Sequence, residues 1–283
     1  MKEHLRLKPI VRVNIFAAVV PEVITPKLEL RSVSRTFSSH SGEVKALQDV
    51  SLRIRPGEFV CIVGPSGCGK STLLNLFAGL DRPTSGEVLM EGIPIQQPGP
   101  DRLVMFQEHG LFPWLSVRKN VEFGLRWKKI PAEQRREIAQ HWLRVVHLEK
   151  FQDSYVHQLS GGMKQRVALA RSLAMDPKVL LMDEPFTALD AQSRDLLHEE
   201  LEQVWSSTAK TIVFVTHNVR EAVRLGDRVV LMTFRPGRIM KDFRINLPRA
   251  RHVEDAEVAA TAKELMAYLR TDIDRAFQEE HPA

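Results

Sequence analysis

Regular patterning begins at Leu28, where LELRSVSRTF alternates apolar and polar positions and predicts a half-buried β-strand. Ser38 to Gly42 is a polar turn, and VSLRIRPGEFVCIVG supplies further strand broken by a Pro56–Gly57 turn. A long helix is expected after Gly69, and strands punctuated by Gly and Pro continue through Gly99. Between about 110 and 158 the spacing turns helical, with charged faces such as PAEQRREIAQHWLRVVHL. Pro131 stands where a helix can begin, with Glu133 in its first turn. After that, ALARSLAMDP reads as helix, VLLMDEP as buried strand and TIVFVTH as another. Short apolar strands alternating with helices predict a mostly parallel sheet covered on both faces. In the tail from Val253 to Glu280, Leu265, Leu269, Ile273 and Phe277 recur four residues apart and predict the stripe of an amphipathic helix.

Composition narrows the class. Of 283 residues, 43% are hydrophobic and 27% charged, a globular balance with material for a real core and length for roughly two domains. The longest nearly uncharged apolar run, Val13 to Val20, carries Asn14 and is far short of the ~20 residues that span a bilayer. It imitates a secretory signal loosely, but Pro21 and Glu22 follow directly and no A-x-A site appears. Residues 1–27 are therefore expected to be a poorly ordered leader. The net charge of +5 permits an anionic partner without requiring one. With only Cys61 and Cys68, there is no disulfide framework, and a reducing compartment is the natural reading.

The sharpest chemical signal is GPSGCGKST, Gly64-Pro65-Ser66-Gly67-Cys68-Gly69-Lys70-Ser71-Thr72, lying between an apolar strand and an apolar helix. Its glycines let backbone N–H groups close around phosphate oxygens, and the helix N-terminus adds donors and a favourable dipole. Lys70 places a point charge on the outer phosphates, and the Ser71 hydroxyl is a hard oxygen suited to Mg²⁺. This predicts a nucleoside triphosphate site. Asp183 and Glu184 end a buried strand, where α/β ligands bind. Asp183 can hold Mg²⁺ through water and Glu184 can orient or activate an attacking water, although two acids before a proline can also be an ordinary strand exit. LSGGMKQR opens a further helix with Ser160, Gly161 and Gly162. On physical grounds it is either a second anion-ready terminus or a plain helix entry.

The order GPSGCGKST, Gln107, LSGGMKQR, VLLMDEP, ALD and the His217 that closes TIVFVTH resembles the ATP-binding-cassette (ABC) ATPases over about residues 28–247. The resemblance implies a P-loop NTPase fold of α/β class: a RecA-like core, an antiparallel β subdomain, and an α-helical signature subdomain inserted at about 108–165. Residues 248–283 are then a C-terminal helical tail. It implies ATP and Mg²⁺ as cofactors and a second ATPase subunit bound head to tail, with Ser160, Gly161 and Gly162 facing the partner's ATP. Gln107 is assigned to Mg²⁺ and the attacking water, His217 to the γ-phosphate, and Asp190 to a contact across the dimer. Phe37 falls where the family stacks an aromatic on adenine; read as a residue alone, it could equally be a core strand position.

The finer resemblance is to nitrate/sulfonate/taurine-type importer cassettes. It is carried by FQEHGLFPWLSVRKNVEFGL and by RPGRI followed by LPRAR, with LMTFRPGRI departing from the more usual LSPRPGRI at Thr233 and Phe234. It implies an ATP-hydrolysing subunit, peripheral on the cytoplasmic face of the inner membrane, that drives uptake of a small anionic solute through a separate permease. A solute-binding protein takes part indirectly and no nucleic acid is expected. The competing class is a soluble cassette ATPase acting on nucleic acid or ribosomes. Three further expectations concern local environment. Cys68, beside Lys70 and a helix N-terminus, should favour its thiolate. Phe112, Trp114 and Leu115 either line a groove for a permease helix or pack the helical insert. The basic residues from Arg235 to Arg251 form a solvated face or one turned to lipid headgroups.

Overall fold

The computed structural model describes residues 25–280 except 40, 41, 188 and 209; the expected leader as far as residue 24, and the side chain of Phe277, lie outside the described residues. Two long strands, β1 (Leu28–Ser39) and β2 (Gly42–Ile54), pair antiparallel. β3 (Phe59–Val63) follows the Pro56–Gly57 turn and runs into the glycine-rich loop and α1 (Lys70–Ala78). Then come β4 (Ser85–Met90), the short β5 (Ile93–Pro94) and β6 (Arg102–Met105). The helical stretch contains α2 (Val117–Trp127) and α3 (Ala132–Val145), with the signature opening α4 (Gly161–Ala174). The chain continues through β7 (Val179–Asp183), α5 (Ala191–Thr208), β8 (Thr211–Thr216), α6 (Val219–Leu225) and β9 (Arg228–Met232). It closes with β10 (Ile239–Arg244) and α7 (Ala256–Glu280).

These strands form two sheets. One is four-stranded, antiparallel, in the order β2-β1-β4-β5; the other is six-stranded, in the order β10-β9-β3-β8-β7-β6, parallel except for β10 at its edge. The continuous apolar runs of β3, β7, β8 and β9 are divided by the pleat between two cores. Phe59, Cys61, Val63, Leu180, Met182, Ile212, Phe214, Val229 and Leu231 face the helices α4 to α7. Their alternates, Val60, Ile62, Leu181, Val213, Val215, Val230 and Met232, face α1 and the antiparallel sheet. α1 is thus sandwiched between the sheets, and that fixes the glycine-rich loop at the carboxyl edge of β3.

The insert is built on one buried amide. Asn120, fully buried in α2, accepts from the Phe112 N–H at 2.9 Å. It donates to the carbonyls of Phe112, Leu115 and Ser116. This ties the GLFPWL loop to the helix that follows it. Ser116 caps that helix by accepting from the Lys119 N–H.

Two expectations about the C-terminal region are corrected. The buried stripe of α7 is Val258, Ala262, Leu265 and Leu269, while Ile273 is exposed. A strict four-residue spacing advances about 40° further around a helix at each step, so it drifts off the docked face within two turns. Nor do the basic residues share one face. Arg249 pairs with Glu202 and Asp227 and lies over the Trp205 ring, and Arg251 is buried, donating to the carbonyls of Val223 and Gly226. Both turn inward to close the β10–α7 connection.

The hairpin joining β9 to β10 packs directly on the glycine-rich loop. Gly237 donates to the Ala46 carbonyl at 2.9 Å, and a Cβ there would lie 2.0 Å from the Cys68 carbonyl oxygen. Gly237→Ala is therefore expected to destabilise the fold by on the order of 2–3 kcal/mol, as overpacking against backbone does. Urea unfolding followed by circular dichroism checks it.

Candidate functional site

The glycine-rich loop is strung between a wholly buried strand and a helix whose first residue is Lys70. Gly69 caps α1 at φ 100°, a left-handed conformation, and a Cβ there would lie 2.8 Å from both the Ala46 carbonyl and the Leu47 side chain. α1 has no side-chain cap and no acid in its first turn, so its leading N–H groups remain available to an anion. Lys70 is only 5% exposed, and its ammonium donates to the carbonyls of Gly64 and Pro65, both at 2.9 Å. Ser66, Gly67, Ser71 and Thr72 line a cleft of about 400 Å³ in front of the loop, and Phe37 and Val44 form its far wall. Phe37 is exposed on that wall, with the Arg35 guanidinium 4.3 Å from its ring centroid. It is not a core residue.

Glu184 lines the same cleft, and Asp183 is joined to it through Ser71. Burial pushes the Asp183 carboxyl up, and a hydrogen bond with Ser71 works against that rise. Glu184 follows at φ 44°, rare for a residue with a side chain, and its N–H donates to the Val215 carbonyl at 3.0 Å. That turn brings one carboxylate oxygen within 3.8 Å of the Lys70 ammonium and the other within 2.8 Å of His217 Nδ1. The Thr187 hydroxyl also donates to Glu184, at 3.3 Å. Lys70, Asp183, Glu184, Ser71 and His217 are therefore one constellation, built from the ends of β7 and β8 and the start of α1.

Other residues singled out from the sequence stand apart from it. Gln107, two positions beyond β6, is exposed and does not line the cleft. Ser160 caps α4, its hydroxyl accepting from the Met163 N–H at 3.3 Å. Neither it nor Gly161 or Gly162 lines the cleft, and around Gly161 nothing would meet an added Cβ. Asp190 caps α5, and the Ser193 N–H that it accepts holds its carboxyl below the usual carboxylate range. Cys68 lines the loop through its backbone only. Its side chain is fully buried, with Sγ 2.8 Å from where a Cβ on Gly64 would sit. The thiolate expectation fails for this reason: burial pushes the thiol up, and the Lys70 charge only partly offsets it.

Two buried polar clusters were missed in the reading of the sequence. Gln165, fully buried in α4, bonds to His109 beyond β6 and to the Pro185 carbonyl beyond β7. Arg171 adds bonds to the carbonyls of His109 and Gly110. On the other side, His198 of α5 is held between Glu221 at 2.7 Å and Arg224 at 3.2 Å. Glu221 also accepts from the Thr216 hydroxyl, next to His217. Gln165 sits inside LSGGMKQR, so that motif was its one available signal; His198 had none.

A parallel sheet, a buried-lysine glycine loop at its carboxyl edge and an adjoining acid pair define a phosphate-loop nucleotide hydrolase. The profile described as ABC transporter matches residues 47–187. The chain is 50% identical over 221 residues to the nitrate import ATP-binding protein NrtD of Synechocystis, covering 78% of this chain and 83% of that protein. It is 48% identical to the taurine import ATP-binding protein TauB of Roseobacter denitrificans, covering 77% and 82%. Among solved structures, a dimeric ATP-binding cassette in a post-hydrolysis state bound to ADP and Pi superposes with a TM-score of 0.70. It is 35% identical, over 78% of this chain and 100% of that one. The chain belongs to the ABC transporter family. It binds ATP, and its hydrolysis of ATP is coupled to transport. No helix among the described residues is long and apolar enough to cross a membrane.

The burial of Cys68 gives a direct check. Neither cysteine should react appreciably with iodoacetamide in the native protein, with or without nucleotide, whereas both should label in urea; mass spectrometry of the adducts decides.

Proposed function

We propose that this chain is the ATPase subunit of an importer that moves a small anionic solute, such as nitrate, an aliphatic sulfonate or taurine, through a separate membrane permease. The observation that carries this reading is the convergence of Lys70, Glu184 and His217 on the glycine loop, in a chain about half identical to nitrate and taurine import subunits. Residues 28–247 make up the ATPase unit, and it works on the cytoplasmic face of the inner membrane. A solute-binding protein delivers cargo to the permease, and no nucleic acid takes part.

In this reading ATP lies with its base against Phe37 and its phosphates on the N–H groups of Gly67 to Thr72, while Lys70 neutralises the outer phosphates. Ser71 and Asp183 offer hard oxygens side by side, the donor set Mg²⁺ prefers, and Gln107 completes the set when its loop approaches. No cluster of three or more His, Cys, Asp or Glu residues suited to a metal exists among the described residues, so an ion here would share its shell with phosphate oxygens. Mg²⁺ bound in this way supplies charge neutralisation at the phosphates. Glu184 orients the attacking water and takes up its proton; His217, bonded to Glu184 through Nδ1, keeps Nε2 for the γ-phosphate. Ser160, Gly161 and Gly162 serve the nucleotide of the second subunit, bound head to tail, and Asp190 lies at the same dimer contact.

The permease docks beside the loop after β6. A cleft of about 390 Å³ opens there, lined by Phe106, His109, Phe112, Phe123, Arg171 and Met175. Phe112 packs into the insert, 4.3 Å from Phe123 between ring centroids, whereas Trp114 is 71% exposed at the rim. This difference in burial supports dividing the two competing readings of GLFPWL between its residues, with Phe112 packing the insert and Trp114, 5.6 Å from the Phe112 ring, available to the permease.

Two variants test this function. Glu184→Gln should retain ATP binding and lose at least about 100-fold in turnover, accumulating an ATP-bound dimer on size exclusion; near-normal hydrolysis would count against the role given to Glu184. Trp114→Ala should melt within a few degrees of wild type and bind ATP normally. Its co-purification with the permease should fall at least tenfold, as expected for an aromatic anchor worth about 2 kcal/mol or more. Reconstitution with the permease in vesicles, with uptake of labelled nitrate, taurine and sulfonates compared, identifies the cargo class.

A further inference from the structure

The turn between β9 and β10 is held from three sides. Gly237 and Gln48 exchange backbone bonds with Ala46 and Gly237 across the β2 interface, at 2.9 and 3.0 Å. Inside the turn, the Thr233 N–H donates to the Arg238 carbonyl at 2.9 Å, and the Arg238 N–H donates to the Thr233 hydroxyl at 3.0 Å. Phe234 is buried, and its N–H donates to Asp272 of α7 at 3.2 Å. Arg235 is carried at the tip of this fixed turn, and its side chain reaches the glycine loop. Its Nε lies 3.4 Å from the Gly67 carbonyl, and Nη2 lies 2.9 Å from where a Cβ on Gly67 would be. It forms one wall of the cleft shared with Ser66, Lys70 and Thr72.

Among the described residues, Arg235 and Lys70 are the two cations that line the cleft, and of the two only Lys70 has a carboxylate nearby. Arg238 donates to Gln48, Arg249 pairs with two carboxylates, and Lys70 is 3.8 Å from Glu184. Among the described residues no carboxylate pairs with Arg235. A guanidinium without an acid partner, on a braced turn beside an anion cradle, is matched to phosphate oxygens, which it can bind in a bidentate manner. The base end of the cleft already has a cation, because Arg35 covers Phe37.

We propose that Arg235 is a further nucleotide-binding residue: a second cation that engages the polyphosphate from the hairpin side of the loop, across from Lys70. The proposal rests on the reading of Gly64–Thr72 as the nucleotide cradle. It also gives Asp272 and α7 a role, since they hold the turn that presents Arg235.

Isothermal titration of ATP, ADP and adenosine into the purified chain tests it, using Arg235→Ala, Arg235→Lys, Arg235→Gln and Lys70→Ala beside wild type. A charge-assisted contact predicts that Arg235→Ala and Arg235→Gln weaken ADP and ATP about tenfold and change adenosine less than twofold. Arg235→Lys should recover most of that loss, and the salt dependence of ADP binding should become shallower in Arg235→Ala. In steady state, KM for ATP should rise about tenfold in Arg235→Ala while kcat falls less than threefold. Unchanged ADP affinity in Arg235→Ala overturns the proposal. So does recovery by Gln as complete as by Lys, because a neutral donor would then suffice to brace the Gly67 carbonyl. If Lys70→Ala loses binding and the Arg235 variants do not, the failure belongs to Arg235 alone. Wild-type affinity in Lys70→Ala would instead overturn the cradle reading, and the proposal with it.

Discussion

α1 starts without a side-chain cap, without an acid in its first turn, and with a buried lysine as its first residue. Each of these weakens an isolated helix, since leading N–H groups go unpaired and a positive charge sits at the positive end of the dipole. The cost is tolerated because α1 is clamped between the antiparallel sheet and the parallel one, with Leu73, Leu74, Leu76 and Phe77 all buried. The fold thereby preserves an unsatisfied anion site that local sequence alone would not hold. Lys70 lends its protons to the Gly64 and Pro65 carbonyls, which keeps the loop closed and the ammonium oriented. The two sheets, and the hairpin that presses Gly237 on Cys68, are the frame this arrangement needs.

Around that frame, the candidate catalytic groups sit on short exits from buried strands, and buried polar residues fix the exits. Glu184 is held in a left-handed conformation by its bond to Val215, and the following Pro185 is tied by Gln165 to His109. On the opposite flank, Thr216, Glu221, His198 and Arg224 join the base of the His217 loop to α5, the helix that Asp190 caps. Arg224 Nε is left without a hydrogen-bond partner there, but the other bonds are buried, and one given up has no water to replace it. These bonds therefore favour discrete arrangements of the exits over gradual ones.

What was legible in the sequence follows from where the constraint acts. The glycine loop, the acid pair and the wholly apolar strands are local demands: phosphate needs backbone N–H groups on consecutive residues, and a doubly covered strand needs apolar residues on both faces. Those demands leave a readable pattern. Arg235, Gln165 and His198 owe their positions to tertiary approach, and a lone Arg, Gln or His on a polar stretch looks like a solvated residue. Thr233 and Phe234, read as mere departures from a family pattern, turn out to lock the hairpin through a hydroxyl and a buried ring. The error over Cys68 has the same origin. The charge and the dipole beside it were visible, but the burial that outweighs both depended on Cys68 joining the core cluster between α1 and the two sheets.

The glycine-loop cleft and the aromatic cleft are joined by a short run of backbone. β6 and β7 are paired, with Met105 opposite Met182, so Phe106–Gly110 and Asp183–Phe186 leave the sheet side by side. Gln165 bonds to both exits from a single position in α4, and Arg171 on the same helix holds the carbonyls of His109 and Gly110. A displacement of Pro185 accompanying a change at Glu184 cannot be absorbed at Gln165 without breaking a buried bond, because that side chain has no solvent to turn to. It must instead carry α4 or the His109 segment with it. Phe112 follows that segment within a few residues and is tied to α2 by Asn120, and the exposed indole of Trp114 lies 5.6 Å from the Phe112 ring between centroids. The acid pair at one edge of the sheet is in this way linked by buried hydrogen bonds to the segment that precedes the exposed Trp114.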